Sequence, residues 1–196
     1  MKKVLDVIVT IIVYPIIIIW KIYKYFTKKE TLFVTFGQML ALFPGKIGIY
    51  LRRAYYRATL QKCGRNANIG FGTFFSHPSS EIGDNVYIGS GCIIGKSSIG
   101  SGSMIGSNVD ILSGKHQHRR DDSGRLLGSE QGRFERIHIG SNSWIGNRSV
   151  IIANIGDRCT VGAGSVVPKV VGDDQIVVGN PARRIAAAPG SLVHKI

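Results

Sequence analysis

Two histidines one residue apart, His116 and His118, lie in the run SGKHQHRRDD (113–122), the densest gathering of reactive side chains in the sequence. An imidazole titrates near neutrality, so either ring could accept a proton from an attacking group as a general base. The same H-x-H pair could hold a metal ion if a third ligand joined it, and His77, in FFSHPSS, is the available third. Asp110, Asp121 and Asp122 are close enough in sequence to orient a base, and the sequence does not choose among them. Cys63, Cys92 and Cys159 are far apart and form no C-x-x-C. That spacing points to neither a zinc ribbon nor a disulfide framework and fits reduced thiols, so no metal centre is expected. His138 and His194 read as structural or surface groups.

The element that must carry this loop is a repeat. Ile82, Ile88 and Ile94 are spaced by six, as are Ile99, Ile105 and Ile111; Ile139, Ile145 and Ile151; and Ile155, Val161 and Val167. Four residues after each aliphatic stands a small or β-branched residue: Val86, Cys92, Ser98, Ser103, Val109, Ser143, Ser149, Cys159 and Ser165. A period of six is not that of an amphipathic helix. It fits a short strand followed by a tight corner, with the aliphatic side chain in a narrow axial core and Gly, Asn or Asp supplying unusual backbone angles. One such coil cannot bury its own face, so stability comes from stacking. Residues 69–170 are therefore expected to wind into a mainly β structure, a single-stranded parallel β-helix. Its one long interruption, 115–136, is the histidine loop. Two steps, Ile94 to Ile99 and Ile151 to Ile155, fall short of six, and nothing in the sequence accounts for them.

Charge separates this unit from what precedes it. The chain of 196 residues carries a net charge of +13. Up to Arg65 twelve Lys and Arg face only Asp6 and Glu30, whereas the rest is close to neutral. A nucleic-acid-binding domain would show its basic patch on the folded part; here the excess flanks an apolar N-terminus, which favours anionic lipid and excludes nucleic acid as the expected partner. Val4–Trp20 is apolar but for Asp6, Thr10 and Pro15, and has the length of a short membrane span. Bulky Trp20, Tyr23, Tyr25 and Phe26 follow instead of a cleavage site, so an uncleaved anchor is expected. The lysines after it place the remainder in the cytoplasm, at a bacterial inner membrane, whether the segment spans or, broken at Pro15, re-enters. The expected division is an anchor helix at 1–30, short helices at 31–62 that lie on the membrane or cap the β-helix, and a β-helix domain at 63–196 with a tail from 171. The second short helix interleaves Arg52, Arg53 and Arg57 with Leu51, Tyr55, Tyr56 and Leu60.

With these residues in view the chain resembles the hexapeptide-repeat acyltransferases, whose fold is a left-handed parallel β-helix. The resemblance covers roughly 63–185 and rests on IGDNVYIGSGCIIG (82–95), ILSGKHQH (111–118), IGSNSWIG (139–146), VGAGSVV (161–167) and VGNPARRI (178–185). The N-terminal segment together with KIGIYLRRAYYRATLQKCG is similar to membrane-associated members from polysaccharide biosynthesis. The resemblance implies a homotrimer that binds acyl-CoA, commonly acetyl-CoA, as co-substrate between neighbouring β-helices, with no tightly bound cofactor. The implied reaction is O-acetylation of a sugar hydroxyl on a glycan or lipid-linked acceptor in exopolysaccharide, capsule or O-antigen assembly. A hydroxyl is a weak nucleophile, so a base must take its proton as it attacks the thioester, and backbone N–H groups can hold the oxyanion. The family's base matches His116, with His118 the other candidate. Trp144 matches a residue lining the acceptor side, and His77 either bounds the acceptor pocket or packs at a corner. Ala163 and Gly164 match the coil along which the pantetheine arm runs, while Lys169 and Arg183 match positions near the CoA nucleotide. The coil after Ile151 reads IIANIG and lacks the usual Pro-Gly pair, a departure on the acyl-CoA path.

Three rivals share the repeat. One is N-acylation of an amino sugar or a serine-type acceptor. Another is a γ-carbonic-anhydrase-like zinc enzyme using His77, His116 and His118. The third is a scaffold without catalysis, since fold alone never fixes activity.

Overall fold

The computed structural model describes residues 2–128 and 132–187; His194 lies outside them. Three helices precede the repeat: α1 (Lys2–Thr27), α2 (Thr31–Ala41) and α3 (Gly45–Thr59). Six coils of short strands follow. They are β1 (Lys62–Cys63), β2 (Asn68–Ile69) and β3 (Phe74–Phe75); β4 (Glu81–Ile82), β5 (Tyr87–Ile88) and β6 (Ile93–Ile94); and β7 (Ser97–Ile99), β8 (Met104–Ile105) and β9 (Asp110–Ile111). After the histidine loop come β10 (Ile137–Ile139), β11 (Trp144–Ile145) and β12 (Val150–Ile151), then β13 (Thr160–Val161) and β14 (Val166–Val167) with Ile155 bridging in place of a first strand, and last β15 (Gln175–Gly179). β16 (Ala182–Ala187) turns back antiparallel on β15.

The strands stack in parallel into three sheets, so the repeat forms a three-sided parallel β-helix with an N-terminal apolar helix. Sheet A is β1-β4-β7-β10, sheet B runs from β2 through β5, β8, β11 and β13 to β15, and sheet C is β3-β6-β9-β12-β14. The aliphatic of every repeat points inward and is buried, from Ile69 and Phe75 to Val167, Val171 and Val177. The small residues sit two positions before the next aliphatic, a rule that differs from four positions after the last one wherever a corner is short. At the five-residue step the buried residue is accordingly Ser97 and not Ser98. These hydroxyls sew coil to coil. Ser103 Oγ donates to Gly140 O at 2.6 Å and accepts from Ser143 N–H at 3.0 Å, and Ser143 Oγ repeats the pattern toward Gly156 O and Cys159 N–H.

The period of six has a backbone cause. Each A-to-B and B-to-C corner places one residue, three after its aliphatic, in the left-handed region. From coil to coil these are Asn66, Asn85, Gly102, Asn142, Arg158 and Asp174 at the first corner and Gly72, Gly91, Asn108, Arg148 and Gly164 at the second. The C-to-A corner has such a residue at that place only at Gly114, where the histidine loop leaves, and elsewhere its length varies: seven residues from Phe75 to Ile82, five from Ile94 to Ile99, four from Ile151 to Ile155 and four from Val167 to Val171. The histidine loop leaves from this same corner, between Ile111 and Ile139. Both register breaks in the sequence thus belong to one edge of the prism.

The helices close the N-terminal end. α3 buries Leu51, Arg52, Tyr55 and Tyr56, and Tyr56 Oη accepts the N–H of Phe75 at 3.1 Å. Arg52 is wholly buried and donates to the carbonyls of Leu40, Ala41 and Phe43, which end α2, and to Ile69 O of the first coil at 2.8 Å. So the most buried of the three α3 arginines faces the β-helix, not a lipid surface. α1 runs through Pro15 as one helix and buries only Val9, Val13, Ile17 and Trp20. Ile8, Ile11, Ile12, Ile18, Ile19 and Ile22 stay exposed along the rest of its surface. Over Asp6–Thr27 its mean hydropathy is 2.0, enough by length and composition to enter a membrane.

Candidate functional site

Among its described residues the histidine loop is a two-armed excursion. Glu135 N–H donates to Ser113 O, Arg133 N–H to His116 O and Leu127 N–H to Arg119 O, so the arms run antiparallel toward a tip at 121–125. Gly114 opens the turn out of the corner with φ +88, and a Cβ there would meet Glu135 Cβ at 2.8 Å. Asp121 holds the tip: its carboxylate accepts from Ser123 and from the N–H and side chain of Arg125. Those bonds, that of Ser123 Oγ first, hold its carboxyl below the usual carboxylate range. Asp121 is therefore engaged in loop structure. Asp110, by contrast, points outward from sheet C.

Three recesses surround the loop base. His116 and His118 line the first, of about 820 Å³, with Arg119, Arg120 and Arg133. The second, about 460 Å³, runs from His118 and Gln117 past Leu112 and Ile152 to Pro168, crossing three consecutive coils at the C-to-A corner. The third, about 450 Å³, holds His77, Asp110, Gln117 and Phe134. His118 is shared by the first two, whereas His116 borders only the first. His77 stands at the C-to-A corner of the first coil, its ring 4.9 Å from that of Phe134 and its Nδ1 3.5 Å from the Glu30 carboxylate. It thus bounds the third recess. It does not join His116 and His118: among the described residues no three His, Cys, Asp or Glu side chains gather as a metal site would need.

The other positions singled out in sequence are spread over the prism. Trp144 is 57% exposed on sheet B, in register with Met104 and Tyr87, which are exposed too. Sheet B is the face opposite the C-to-A corner, so within one chain Trp144 and His116 do not meet. Ala163 and Gly164 lie at the B-to-C corner, exposed; Lys169 follows Pro168 at the C-to-A corner; Arg183 is on β16. Lys169 alone of the four adjoins the apolar recess. His138 is exposed on sheet A, away from the loop. The thiols are shielded: burial pushes Cys63 up to about 11 and raises Cys92 and Cys159, which removes cysteine nucleophiles from consideration near neutral pH. Sequence reasoning missed Phe134, Gln117 and the Leu112–Ile152–Pro168 row. Only the row had a signal, as the residue following the aliphatic at each C-to-A corner.

Comparison with known proteins agrees with this architecture. Residues 136–169 match the family model described as the hexapeptide repeat of succinyl-transferase. The bifunctional protein GlmU of Synechococcus sp. (strain CC9605) is 31% identical over 120 residues, 54% of this chain and 25% of that protein. The chain spans about a quarter of the length of this curated relative. Among solved structures, a maltose O-acetyltransferase from Clostridium difficile 630 superposes with a TM-score of 0.68 at 26% identity, covering 80% of this chain and 84% of that one. A galactoside acetyltransferase in complex with coenzyme A gives 0.65 at 25% identity, covering 79% and 80%. With six coils of the repeat, a histidine-bearing excursion from one corner and these likenesses, the chain is similar in sequence and fold to the hexapeptide-repeat acetyltransferases.

Proposed function

We propose that the protein transfers an acetyl group from acetyl-CoA to a sugar hydroxyl in membrane-located glycan assembly, on the cytoplasmic face of a bacterial inner membrane. The observation that carries this reading is the apolar recess from Pro168 to His118. It is an apolar groove crossing three coils and ending at His118, so a pantetheine arm lying along it would bring its thioester to the histidine loop. The solved relatives named for maltose, galactoside and coenzyme A support the class of donor and acceptor. In the reaction His116 accepts the proton of the acceptor O–H as the oxygen attacks the thioester carbonyl. The C–S bond then breaks, and the imidazolium returns the proton to the CoA sulfur. Arginines 119, 120 and 133 around the same recess suit an anionic acceptor. Lys169 and Arg183 are assigned to the CoA phosphates, and Ala163 and Gly164, at the B-to-C corner away from this recess, to backbone contacts with an arm bound at the recess of a neighbouring copy.

Trp144 and His116, on opposite sides of one chain, complete a site only where two copies meet. The reading therefore includes a homotrimer in which the exposed Tyr87, Met104 and Trp144 of one copy face the histidine corner of the next. His116→Ala should lower kcat by roughly 10²–10⁴-fold while acetyl-CoA still binds. Normal turnover in that variant, with His118→Ala inactive, would move the base to His118; normal turnover in both sinks the mechanism. Mass spectrometry of glycan extracts incubated with acetyl-CoA identifies the acceptor, and lability to hydroxylamine separates an O-ester from an N-acyl product.

A further inference from the structure

A fourth recess, of about 620 Å³, lies where α1 ends. Lys28 and Lys29 line it from the helix end, Lys96 from the C-to-A corner of the second coil, and Ser76, His77 and Phe134 form its far wall. Ser76, His77 and Phe134 also line the recess that contains Asp110 and Gln117. A single wall therefore separates this basic cavity from the base of the histidine loop. Glu30, its one carboxylate, is turned to His77 at 3.5 Å. Among the described residues none of the three lysines forms an ion pair, and Lys96 Nζ contacts Phe134 O at 3.4 Å.

The position of α1 says where this cavity opens. Asp6, near one end of α1, pairs with Arg53 and shares a cleft with Arg65, Asn66, Asp84 and Asn85 at the A-to-B corner. At the other end Glu30 meets His77 at the C-to-A corner. A helix about 39 Å long is thus tied near both ends to the same body, through α3 at its start and through Glu30, just beyond its last residue, at its finish. A spanning helix must put its ends on opposite sides of a hydrocarbon layer about 30 Å thick. α1 therefore lies along the interface with Ile11, Ile12, Ile18, Ile19 and Ile22 outward, and the three lysines fall at headgroup depth. Phosphates sit at that depth, and cations there bind them.

We propose that this recess binds the phosphate of a membrane-embedded, lipid-linked sugar acceptor, so that the sugar passes the His77–Phe134 wall to the histidine loop. The phosphate site stands on the lysines and the helix alone; the passage of the sugar rests on the acyl-transfer reading above. The probe is a phosphatidylcholine vesicle doped with a polyprenyl phosphate, compared with one carrying phosphatidylglycerol at equal surface charge, with binding followed by co-sedimentation. At equal surface charge the general attraction of the lysines cancels, so the full chain is expected to prefer the polyprenyl phosphate by about tenfold, the worth of roughly one added charge-assisted hydrogen bond in the recess. Lys28→Gln/Lys29→Gln should abolish the preference, with or without Lys96→Gln, while the control Lys21→Gln/Lys46→Gln, which removes two charges elsewhere, keeps it. Equal binding to the two vesicles, or equal loss in the control, overturns the site. Displacement of the vesicles by a micromolar soluble sugar phosphate assigns the lysines to a soluble ligand and overturns the lipid source. Acetylation of a water-soluble glycoside reads the other hypothesis separately: its persistence in the Lys28/Lys29 variant would leave His116 chemistry intact whatever becomes of the recess.

Discussion

A site shared between copies can be tested by mixing inactive subunits. His116→Ala removes the proposed base, and Trp144→Ala removes an exposed indole from the opposite face of the same chain. The first should cost roughly 10²–10⁴-fold in kcat. The second forfeits about 1.5–3 kcal/mol of aromatic contact with the acceptor, roughly 10- to 100-fold in kcat/KM. Suppose the two subunits are co-expressed with different tags in equal dose and assemble at random into trimers. A working site then needs a subunit with its histidine beside one with its tryptophan. Each condition is met half the time, so about one-quarter of wild-type activity returns from two inactive parents. The double variant gives the opposite control. Mixed with wild type, it leaves about one-quarter of the sites intact if each is built from two chains, but about half if each is built from one. The assay is acetyl-CoA-dependent release of free thiol by the whole trimer population, because selection through both tags would discard the homotrimers and change these fractions. Activity of the mixed parents at no more than their average, together with half activity in the control, would refute the shared site.

Two further outcomes probe the cap and the anchor. Replacing Arg52 with Met leaves the carbonyls of Phe43 and Ile69 short of a buried donor, while Leu40 O keeps the N–H of Phe43 and Ala41 O that of Gly72. At about 1–3 kcal/mol per unsatisfied group, less the relief of a desolvated cation, urea unfolding should show a loss of about 3–5 kcal/mol; a loss below about 1 kcal/mol would mean that Arg52 does not clamp α2 to the first coil. Ile11→Glu/Ile19→Glu alters only outward positions of α1, so vesicle affinity should fall by more than about 100-fold at unchanged thermal stability. Membrane binding that survives this change would put the contact surface elsewhere.

The repeat was legible because each inward position must be aliphatic and each corner has little room, and those demands recur every six residues. Its finer rule was not. The hydroxyl of Ser97, not of Ser98, is buried, because the small residue is set by the strand that follows it and not by the one before. Arg148 and Arg158 occupy left-handed corners that sequence assigns to Gly, Asn or Asp. Arg158 is held there in part by a bidentate pair with Asp174 one coil on, at 2.6 and 2.8 Å, a contact formed only after stacking. The amphipathic pattern of α3 correctly announced two faces but not what each meets, since an arginine bonded to four carbonyls reads in sequence like one facing phosphate. The location of Trp144 relative to His116, and the meeting of Glu30 with His77 just beyond α1, depend on which corner follows which sheet, and hydrophobic periodicity alone does not contain that information.

The same corner logic explains why the candidate site is where it is. At the A-to-B and B-to-C corners a left-handed residue sits at a fixed place between aliphatics six apart. One inserted residue there would move the next strand's side chains to the wrong face. The C-to-A corner does not repeat such a residue from coil to coil, Gly114 at the start of the excursion aside, and already takes lengths of four, five and seven, so the chain can leave and return there without disturbing the stack. The histidine excursion, the Leu112–Ile152–Pro168 recess, His77 and Lys96 all use this freedom. Two corners keep the register while the third is free to vary, which is how an insertion of polar, ionisable residues can be accommodated beside a core of isoleucines.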